Sequence, residues 1–293
     1  MKIGVDIGGT TVKIGFVKDN LLLDHFQIPT KKESLFVDIA LAIKSYIKSK
    51  NINDIEMIGF GIPGNVKNNY IYNMPNIGIK NIDINQAIGS YFPNVKIFSN
   101  NDANVAALAE AYHNNFKSSY MITLGTGVGG GLVLDHKLID GCHNACGEVG
   151  HLFVDYKHNF QCTCGLCGCL ETVASATGVV RLAKYYYNQY HTVLPISMTC
   201  KDVFDKAKEN DPLGLFVVDY VSKALARGLA SLAVSVDVEA FIIGGGVSAC
   251  GDILLELVKK YFKEYSHYAV KNTPIIYAKL GNLAGMLGAA MLS

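Results

Sequence analysis

The sequence has almost no net charge, because 26 Lys and Arg residues against 25 Asp and Glu residues leave a formal charge of +1. That balance excludes a strongly basic nucleic-acid clamp and an acidic solvating tail. Charged residues are also scarce, at 17% of the chain against 50% hydrophobic residues. The composition is therefore that of a folded globular protein, and a disordered chain is excluded.

Long hydrophobic runs are missing too. No apolar run approaches the ~18 residues of a membrane span, and Asp6 lies where a signal peptide would need its apolar region. We therefore expect a cytoplasmic protein with neither a membrane nor a nucleic acid as partner. At ~150 residues per domain, a chain of 293 residues predicts two domains.

Four of the eight cysteines are crowded into eight residues: Cys162, Cys164, Cys167 and Cys169. Such crowding does not suit a disulfide framework, and in a reducing compartment it favours metal ligation. Three of these thiols and the imidazole of His151 would complete a tetrahedral structural zinc site. Four thiols and His151 are one ligand too many, so either Cys167 or His151 lies outside the site. His143 and His158 are rival imidazoles, and a set of buried free thiols is the alternative to a metal site.

Hydrophobic periodicity predicts an α/β chain with an internal duplication. Strands are predicted at 2–7, 12–18, 21–28, 55–60, 95–99, 120–124, 132–134, 137–139 and 240–243, and helices at 34–48 and 102–112 and after residues 172, 199 and 211. The order of strand, glycine turn, strand, Asp turn and strand occurs twice, near residues 3 and 120. We predict lobes at 1–117 and 118–281 with a cleft between them, and a C-terminal helix at 282–293 that completes the first lobe.

The second glycine turn, Gly125-Thr126-Gly127-Val128-Gly129-Gly130, formally matches G-x-G-x-x-G. A dinucleotide site needs this motif to open a helix, whereas here it leads into a strand, which disfavours a zinc-containing dehydrogenase. No P-loop motif is present. The alternatives are a hairpin whose backbone N–H groups approach an anion and a hairpin that needs glycine only for positive φ.

A similar turn follows the first strand and carries Asp6, Gly8, Gly9, Thr10, Thr11 and Lys13. Two such hairpins facing a cleft would hold a polyphosphate from both sides. Asp6 is then a candidate partner of Mg²⁺, which prefers oxygen ligands beside phosphate. Lys13 is a candidate phosphate contact, with a solvated strand residue as the alternative. A third loop, Gly244-Gly245-Gly246, precedes a helix and leaves its backbone bare for an adenine or a ribose.

Acidic residues are candidates for catalysis and for sugar binding. Asp102 follows a predicted strand at the start of a helix, where it is either an N-cap or a general base that takes a proton from a substrate hydroxyl. Glu148 and Glu171 bracket the cysteine-rich segment, where carboxylates can accept hydrogen bonds from several sugar hydroxyls. Taken singly, each would pass as a surface glutamate.

Together these segments resemble the ROK family, which comprises repressors, open reading frames and sugar kinases. The resemblance rests on segments 6–10, 101–102, 125–131, 148–151 and 162–171, with residues 284–290 similar to the closing helix of the family. The C-x-C-G-x-x-G-C-x-E pattern of segment 162–171 is its most specific part. A sugar-sensing transcription regulator is the alternative of another class within this resemblance. Such a protein needs a DNA-binding module, and because the first predicted strand begins at Lys2 we do not expect one before it.

The resemblance implies an α/β fold of two ribonuclease-H-like lobes with mixed sheets, as in actin and hexokinase, and an ATP-dependent kinase that phosphorylates the 6-hydroxyl of a hexose. Asp102 would be the base. The resemblance implies that the sugar is held by Gly61, Pro63, Gly64, Asn76, Asn101, Glu148, His151 and Glu171. It also implies that the zinc ligands are His151, Cys162, Cys164 and Cys169, with Cys167 at a variable position.

The resemblance leaves the substrate open. Glucose is expected first, followed by N-acetylmannosamine, N-acetylglucosamine and fructose, and a homodimer is the common expectation for such enzymes. Where the family usually has Gly-x-Ala-Gly-Glu, this chain has Asn144-Ala145-Cys146-Gly147-Glu148, preceded by His143. The pocket wall near the sugar is therefore expected to be specific to this chain.

Overall fold

A computed structural model describes residues 1–293. Contacts within the chain divide it into two compact units. The first contains residues 1–115, 136–144 and 282–293, and the second contains residues 116–135 and 145–281. No helix is both long enough and apolar enough to cross a membrane.

Runs of strands and runs of helices follow each other along the chain. The strands are β1 (Lys2–Ile7), β2 (Thr11–Lys18), β3 (Leu21–Pro29), β4 (Met57–Ile62), β5 (Asn65–Lys67), β6 (Tyr70–Met74), β7 (Ile79–Asp83), β8 (Lys96–Asn101), β9 (Ser119–Leu124), β10 (Val128–Leu134), β11 (Lys137–Ile139), β12 (Ala240–Gly244) and β13 (Ile275–Tyr277). The α-helices are α1 (Leu35–Ser49), α2 (Ile84–Ile88), α3 (Asp102–His113), α4 (Glu171–Ala174), α5 (Ala176–Tyr186), α6 (Cys200–Lys208), α7 (Pro212–Val236), α8 (Asp252–Tyr265) and α9 (Ala284–Ala289).

The first unit is built on a mixed sheet of order β3-β2-β1-β4-β8. β1 pairs antiparallel with β2 and parallel with β4, and β4 pairs parallel with β8. The alternating apolar residues Ile3, Val5 and Ile7 of β1 are almost fully buried and contribute to a core that α1 also lines. The register places Asp6 beside Gly61 and Gly61 beside Asn100, so the carboxyl ends of three parallel strands meet at one edge.

The sheet of the second unit repeats this arrangement. β10, β9, β12 and β13 lie side by side in that order, with β9 antiparallel to β10 and parallel to β12. β2, β1, β4 and β8 have the same order and the same relative directions. The predicted duplication is therefore confirmed at the level of strand topology.

The C-terminal helix α9 packs on the first sheet at very short range. A Cβ atom at Gly4 would lie 1.8 Å from the carbonyl oxygen of Met286, and one at Gly59 would lie 1.8 Å from that of Ala289. Both strand glycines are therefore needed for the helix backbone to approach the sheet. Met286 and Ala289 are themselves fully buried, which makes the end of the chain part of the core of the first unit.

Three parts of the fold differ from the prediction. The glycines at 129–131 were expected to belong to a turn, but they lie in β10 and pair with β9. The segment 65–83 forms a separate three-stranded sheet, β5-β6-β7, that the sequence did not predict. The loop at Gly244–Gly246 leads first into a 3₁₀ turn at Ser248–Cys250, and α8 begins only at Asp252.

Candidate active site

Asp102 is the first residue of α3, directly after the carboxyl end of β8. Burial is the main cause that raises the pKa of its carboxyl group to about 6, and the negative charge of Asp6 adds to the effect. A carboxylate with that pKa is mostly ionised at neutral pH and is still a stronger base than an exposed aspartate. Asp102 is therefore suited to accept a proton from a hydroxyl group.

The N-cap of α3 is Asn101, so the alternative function of Asp102 as the cap is wrong. Asn101 Oδ1 accepts a hydrogen bond from the N–H of Ala103 at 2.9 Å, and its Nδ2 donates to the carbonyl oxygen of Gly64 at 3.2 Å. The cap thus connects the start of α3 with the loop after β4. Pro63 and Gly64 of that loop are partly exposed.

Asp6 lies close to Asp102 on the same sheet edge. A methyl group on Gly61 would lie 3.8 Å from Asp6 Oδ1 and 3.7 Å from the Cα atom of Asp102, so Gly61 separates the two acids. Burial raises the pKa of Asp6, an effect that Lys13 opposes from 3.5 Å away. Lys13 is thus paired and partly buried, and it is not the fully solvated strand residue of the alternative.

The first glycine turn is compact and open to solvent. The N–H of Gly8 donates to the carbonyl oxygen of Thr11 at 2.9 Å, which closes the turn. Gly9 and Thr10 are exposed, and a Cβ atom on Gly9 would meet nothing within 4 Å. Asn76, another predicted sugar contact, is exposed in the turn between β6 and β7 and has no side-chain hydrogen bond in this structure.

In the second glycine turn, glycine is needed because a neighbouring side chain leaves no space for a Cβ atom. None of Gly125, Gly127, Gly129 and Gly130 has a positive φ, so the alternative that the hairpin needs glycine for positive φ is wrong. A Cβ atom on Gly127 would lie 2.5 Å from Oε2 of Glu171. The close approach of the backbone to Glu171 thus explains this glycine.

Glu171 connects the glycine turn with the cysteine-rich segment of the same unit. Its Oε2 accepts a hydrogen bond from the N–H of Val128 at 3.0 Å, and its Oε1 accepts from Oγ1 of Thr163 at 3.4 Å. Ala176 and Thr177, just downstream, donate to the carbonyl oxygens of Gly125 and Thr126. Segment 171–177 therefore holds the turn in place.

Four of the five candidate ligands converge in the second unit: His151, Cys162, Cys164 and Cys169. Their donor atoms all lie within 4.8 Å of one another, with 3.6 Å between the sulfur atoms of Cys164 and Cys169. A tetrahedral Zn²⁺ with Zn–S bonds of about 2.3 Å needs sulfur atoms roughly 3.8 Å apart, so the residues fit zinc. Cys167 points to the carbonyl oxygen of Asn159 instead.

The rival imidazoles are placed elsewhere. His158 is buried, and its ring nitrogens face the carboxylate of Asp155 and, at 2.8 Å, the hydroxyl of Tyr186. His143 is exposed and belongs to the first unit. Neither imidazole joins the four-residue cluster.

His151 uses its two ring nitrogens in different directions. Nδ1 lies 3.5 Å from Sγ of Cys162, and Nε2 lies 3.6 Å from Oε2 of Glu148. A ligating imidazole commonly has its second nitrogen on a carboxylate, which fixes the ring orientation. The hydroxyl of Tyr120 donates a hydrogen bond to the carbonyl oxygen of Cys146. This bond anchors segment 144–148, which differs from the usual family pattern, just before Glu148.

The third glycine loop has one position that only glycine can occupy without strain. Gly245 has φ of +89°, and a Cβ atom there would lie 2.4 Å from the carbonyl oxygen of Leu124. Gly246 is exposed and open, and Gly244 ends β12. The loop therefore leaves bare backbone beside the strand that leads to the second glycine turn.

A family model for the ROK family matches residues 2–293. The chain belongs to the ROK family. The predicted family resemblance is thereby confirmed. A glucokinase of Halalkalibacterium halodurans is 36% identical over 99% of this chain and 94% of its own.

Two solved ROK structures share the fold over 99% of this chain. The ROK hexokinase of Thermus thermophilus superposes with a TM-score of 0.88 at 30% identity and is covered over 97% of its length. A ROK glucokinase of Streptomyces griseus, solved in complex with glucose and AMPPNP, gives a TM-score of 0.75 at 29% identity over 98% of its length. The predicted α/β fold class of hexokinase type is confirmed by these two structures.

Sequence reasoning missed one residue near the start of α3 in this ROK chain. Asp140, after β11, accepts hydrogen bonds from the side-chain amides of Asn100 and Asn104. Asn100 and Asn104 flank Asp102 and were visible as part of an Asn-rich segment. Nothing in the sequence links them to Asp140, which lies 40 residues further along.

Proposed function

We propose that this chain is an ATP-dependent hexose kinase that phosphorylates the 6-hydroxyl group of glucose. One observation carries the proposal within the ROK family: the partly buried carboxylate of Asp102 lies at the carboxyl end of β8 beside Asp6, and desolvation raises its pKa to about 6. The similarity to a glucokinase over 99% of the chain supports glucose as the substrate.

In this proposal Asp102 takes the proton of the sugar hydroxyl as the γ-phosphoryl group of ATP is transferred. Phosphoryl transfer asks little covalent chemistry of the protein, so positioning and charge neutralisation are its main contributions. The turn at Gly8–Thr11 and the turn at Gly125–Gly127 would donate backbone N–H groups to the phosphates, and Lys13 would contact them through its ammonium group. Gly244, Gly245 and Gly246 lie against the nucleoside.

Mg²⁺ bound with ATP would neutralise phosphate charge. Asp6 fits such an ion because its carboxylate is an oxygen ligand of the preferred kind, and a bound cation would favour the ionised form that burial disfavours. Hexose hydroxyls would be bound by Asn76 and Asn101 with the Gly61–Gly64 loop, and by Glu148, His151 and Glu171. Zn²⁺ on the four-residue cluster would fix the segment that presents His151 and Glu171.

A coupled assay of ADP release over glucose, N-acetylmannosamine, N-acetylglucosamine and fructose tests the proposal. We expect the largest kcat/KM with glucose and formation of the 6-phosphate, identified by NMR. The matched control is Asp102→Asn, which keeps the volume of the side chain and removes the base. Absence of ADP release with every sugar, from zinc-loaded protein in the presence of Mg²⁺, would reject the proposed function.

We also propose a cytoplasmic homodimer. Eight cysteines, none in a disulfide, suit a reducing compartment. Closed two-fold symmetry is the commonest arrangement for soluble oligomers. Light scattering of the purified protein at several concentrations measures the oligomeric state directly, and a monomer throughout would contradict the dimer.

A further inference from the structure

Asp140 and two asparagines form a closed polar triangle in the first unit. Asn100 Nδ2 donates to both carboxylate oxygens of Asp140, at 3.0 and 3.1 Å. Asn104 Nδ2 donates to Oδ1 of Asp140 at 3.0 Å and to Oδ1 of Asn100 at 2.9 Å. Asn104 is only 8% exposed, so these bonds are largely shielded from competing water.

The carboxylate determines which way both amides point. An ionised carboxylate only accepts hydrogen bonds, whereas each asparagine amide has one accepting and one donating end. Asn100 must therefore turn its NH₂ group to Asp140, which turns its Oδ1 the opposite way. Hydrogen bonds to a charged acceptor are about twice as strong as neutral ones, so the orientation is well defined.

The oriented oxygen of Asn100 acts on the junction between β8 and α3. It accepts a hydrogen bond from the backbone N–H of Asn101 at 2.7 Å. Asn101 is the N-cap of α3, and Asp102 is the next residue. The chain of bonds from Asp140 thus ends on the peptide group that precedes the catalytic carboxylate by one residue.

We propose that Asp140 is a positioning residue that fixes the Asn100–Asn101 peptide, and with it the junction that carries Asp102, through the amides of Asn100 and Asn104. The proposal rests on the proposed kinase function for its kinetic consequence. Its structural part concerns hydrogen bonds that exist whatever the substrate is. A misplacement of a reacting group by about 1 Å can reduce turnover by about 100-fold, so a small shift at this junction matters.

The test is a double-mutant cycle of Asp140→Asn and Asn104→Ala, with Asp54→Asn as the matched control. Asp54 is an exposed aspartate of the same unit with no side-chain hydrogen bond or ion pair. We expect each single variant to lower kcat by about 10- to 100-fold with the KM for ATP within about twofold of wild type. The double variant should fall within about threefold of the worse single variant, because both changes break one network.

A second measurement does not depend on activity. Asn101 and Ala103 donate their backbone N–H groups within this network and its cap. In Asp140→Asn, hydrogen exchange of these two amides, measured by NMR, should accelerate by about tenfold, because the junction opens more often. Backbone amides in β1, which should exchange as in wild type, are the internal reference.

Two outcomes would overturn the positioning function: wild-type kcat and exchange in Asp140→Asn, or effects of the two single variants that multiply in the double variant. If wild-type protein phosphorylates no hexose, the proposed function fails. The exchange of Asn101 and Ala103 then still decides whether Asp140 fixes the junction.

Discussion

The surroundings that raise the pKa of Asp102 lower the stability of the folded chain and also suit this residue to accept a proton. Its carboxyl group is partly buried next to Asp6, and both circumstances favour the neutral form. Ionisation of Asp102 at neutral pH therefore works against folding, and in the proposed reaction it would supply a base with a pKa close to neutral pH. Such opposition between stability and activity is common at functional sites.

The first prediction concerns turnover. Asp102→Asn should lower kcat by about 10²–10⁴, the usual contribution of a general base, and leave hexose binding intact. In wild type, kcat/KM should fall as the pH drops below about 6, because Asp102 becomes protonated. Steady-state kinetics from pH 5 to 8 and calorimetric titration with glucose measure both. Near-normal turnover of the variant would refute the assignment.

The second prediction concerns stability. The pKa of Asp102 is about 6 in the folded chain against 3.8 as the ordinary value, so wild type loses stability as the pH rises between these values. Asp102→Asn avoids that loss. Its melting temperature should exceed that of wild type by about 3–6 °C at pH 7.5, with less than half that difference at pH 4.5. Calorimetry without ligands gives the two values, and an equal difference at both pH values would contradict the burial effect.

The placement of single residues was predictable where a local pattern is strong. The sequence placed Asp102 between a strand and a helix, where the structure has it, and the cysteine spacing predicted a cluster that the structure forms, whereas the base and the metal remain proposals. The spacing left Cys167 and His151 as alternatives, and the structure separates Cys167 from the other ligand candidates. Asp140 had no such pattern, because its partners are distant in sequence and a single aspartate in a polar loop carries no signal of its own.

Segment 171–177 is the element through which a metal would act on the nucleotide turn. Glu171 contacts Thr163 of the cysteine-rich segment and Val128 of the turn, and the residues that follow hold two carbonyl oxygens of the same turn. Loss of order around the cysteines should therefore spread to the turn at Gly125–Gly127.

The third prediction uses two exposed cysteines as a matched pair. Cys164→Ser should release zinc, lower the melting temperature by about 5–10 °C and weaken AMPPNP binding several-fold, because the support from Glu171 is loosened. Cys167→Ser should retain zinc and bind AMPPNP as wild type does, since Cys167 lies outside the cluster. Elemental analysis, thermal unfolding and calorimetry measure the three effects. A full equivalent of zinc in Cys164→Ser would contradict the ligand assignment.

Elements were predictable where hydrophobic periodicity is strong. The bounds of β1 and β11 match the prediction, and those of β2, β3 and α3 match within one residue. The start of β10 was hidden because glycine is a poor strand former, and pairing with β9 overrides that preference. β5, β6 and β7 were missed because they are short and rich in asparagine and lysine, with few buried residues each.

At the scale of the molecule, each unit is discontinuous in sequence. The first unit takes in residues 136–144 and 282–293 as well as the N-terminal segment. α9 packs closely on β1 and β4 because Gly4 and Gly59 have no side chains. It also packs closely on α3, since a Cβ atom on Gly288 of α9 would lie 1.7 Å from the carbonyl oxygen of Val105. The last residues of the chain are thus central to the first unit.

The fourth prediction tests this packing. Gly59→Ala should lower the free energy of unfolding by about 1–3 kcal/mol, because the added methyl group would overlap the carbonyl oxygen of Ala289 and push α9 away from the sheet. Gly9→Ala is the matched control, and its methyl group enters open space, so it should change stability by less than about 0.5 kcal/mol. Urea unfolding followed by circular dichroism compares the two. Equal stability of both variants would show that α9 does not need the close approach.

The position of α9 has a consequence for synthesis. Domains generally fold as units while the ribosome proceeds from the N-terminus. Here the sheet surface above Gly4 and Gly59 stays uncovered until residues 284–289 have been translated, although Asp6 and Asp102 were made long before. A chain interrupted after residue 281 would therefore keep every proposed catalytic group and still lack the helix that closes the core of the first unit.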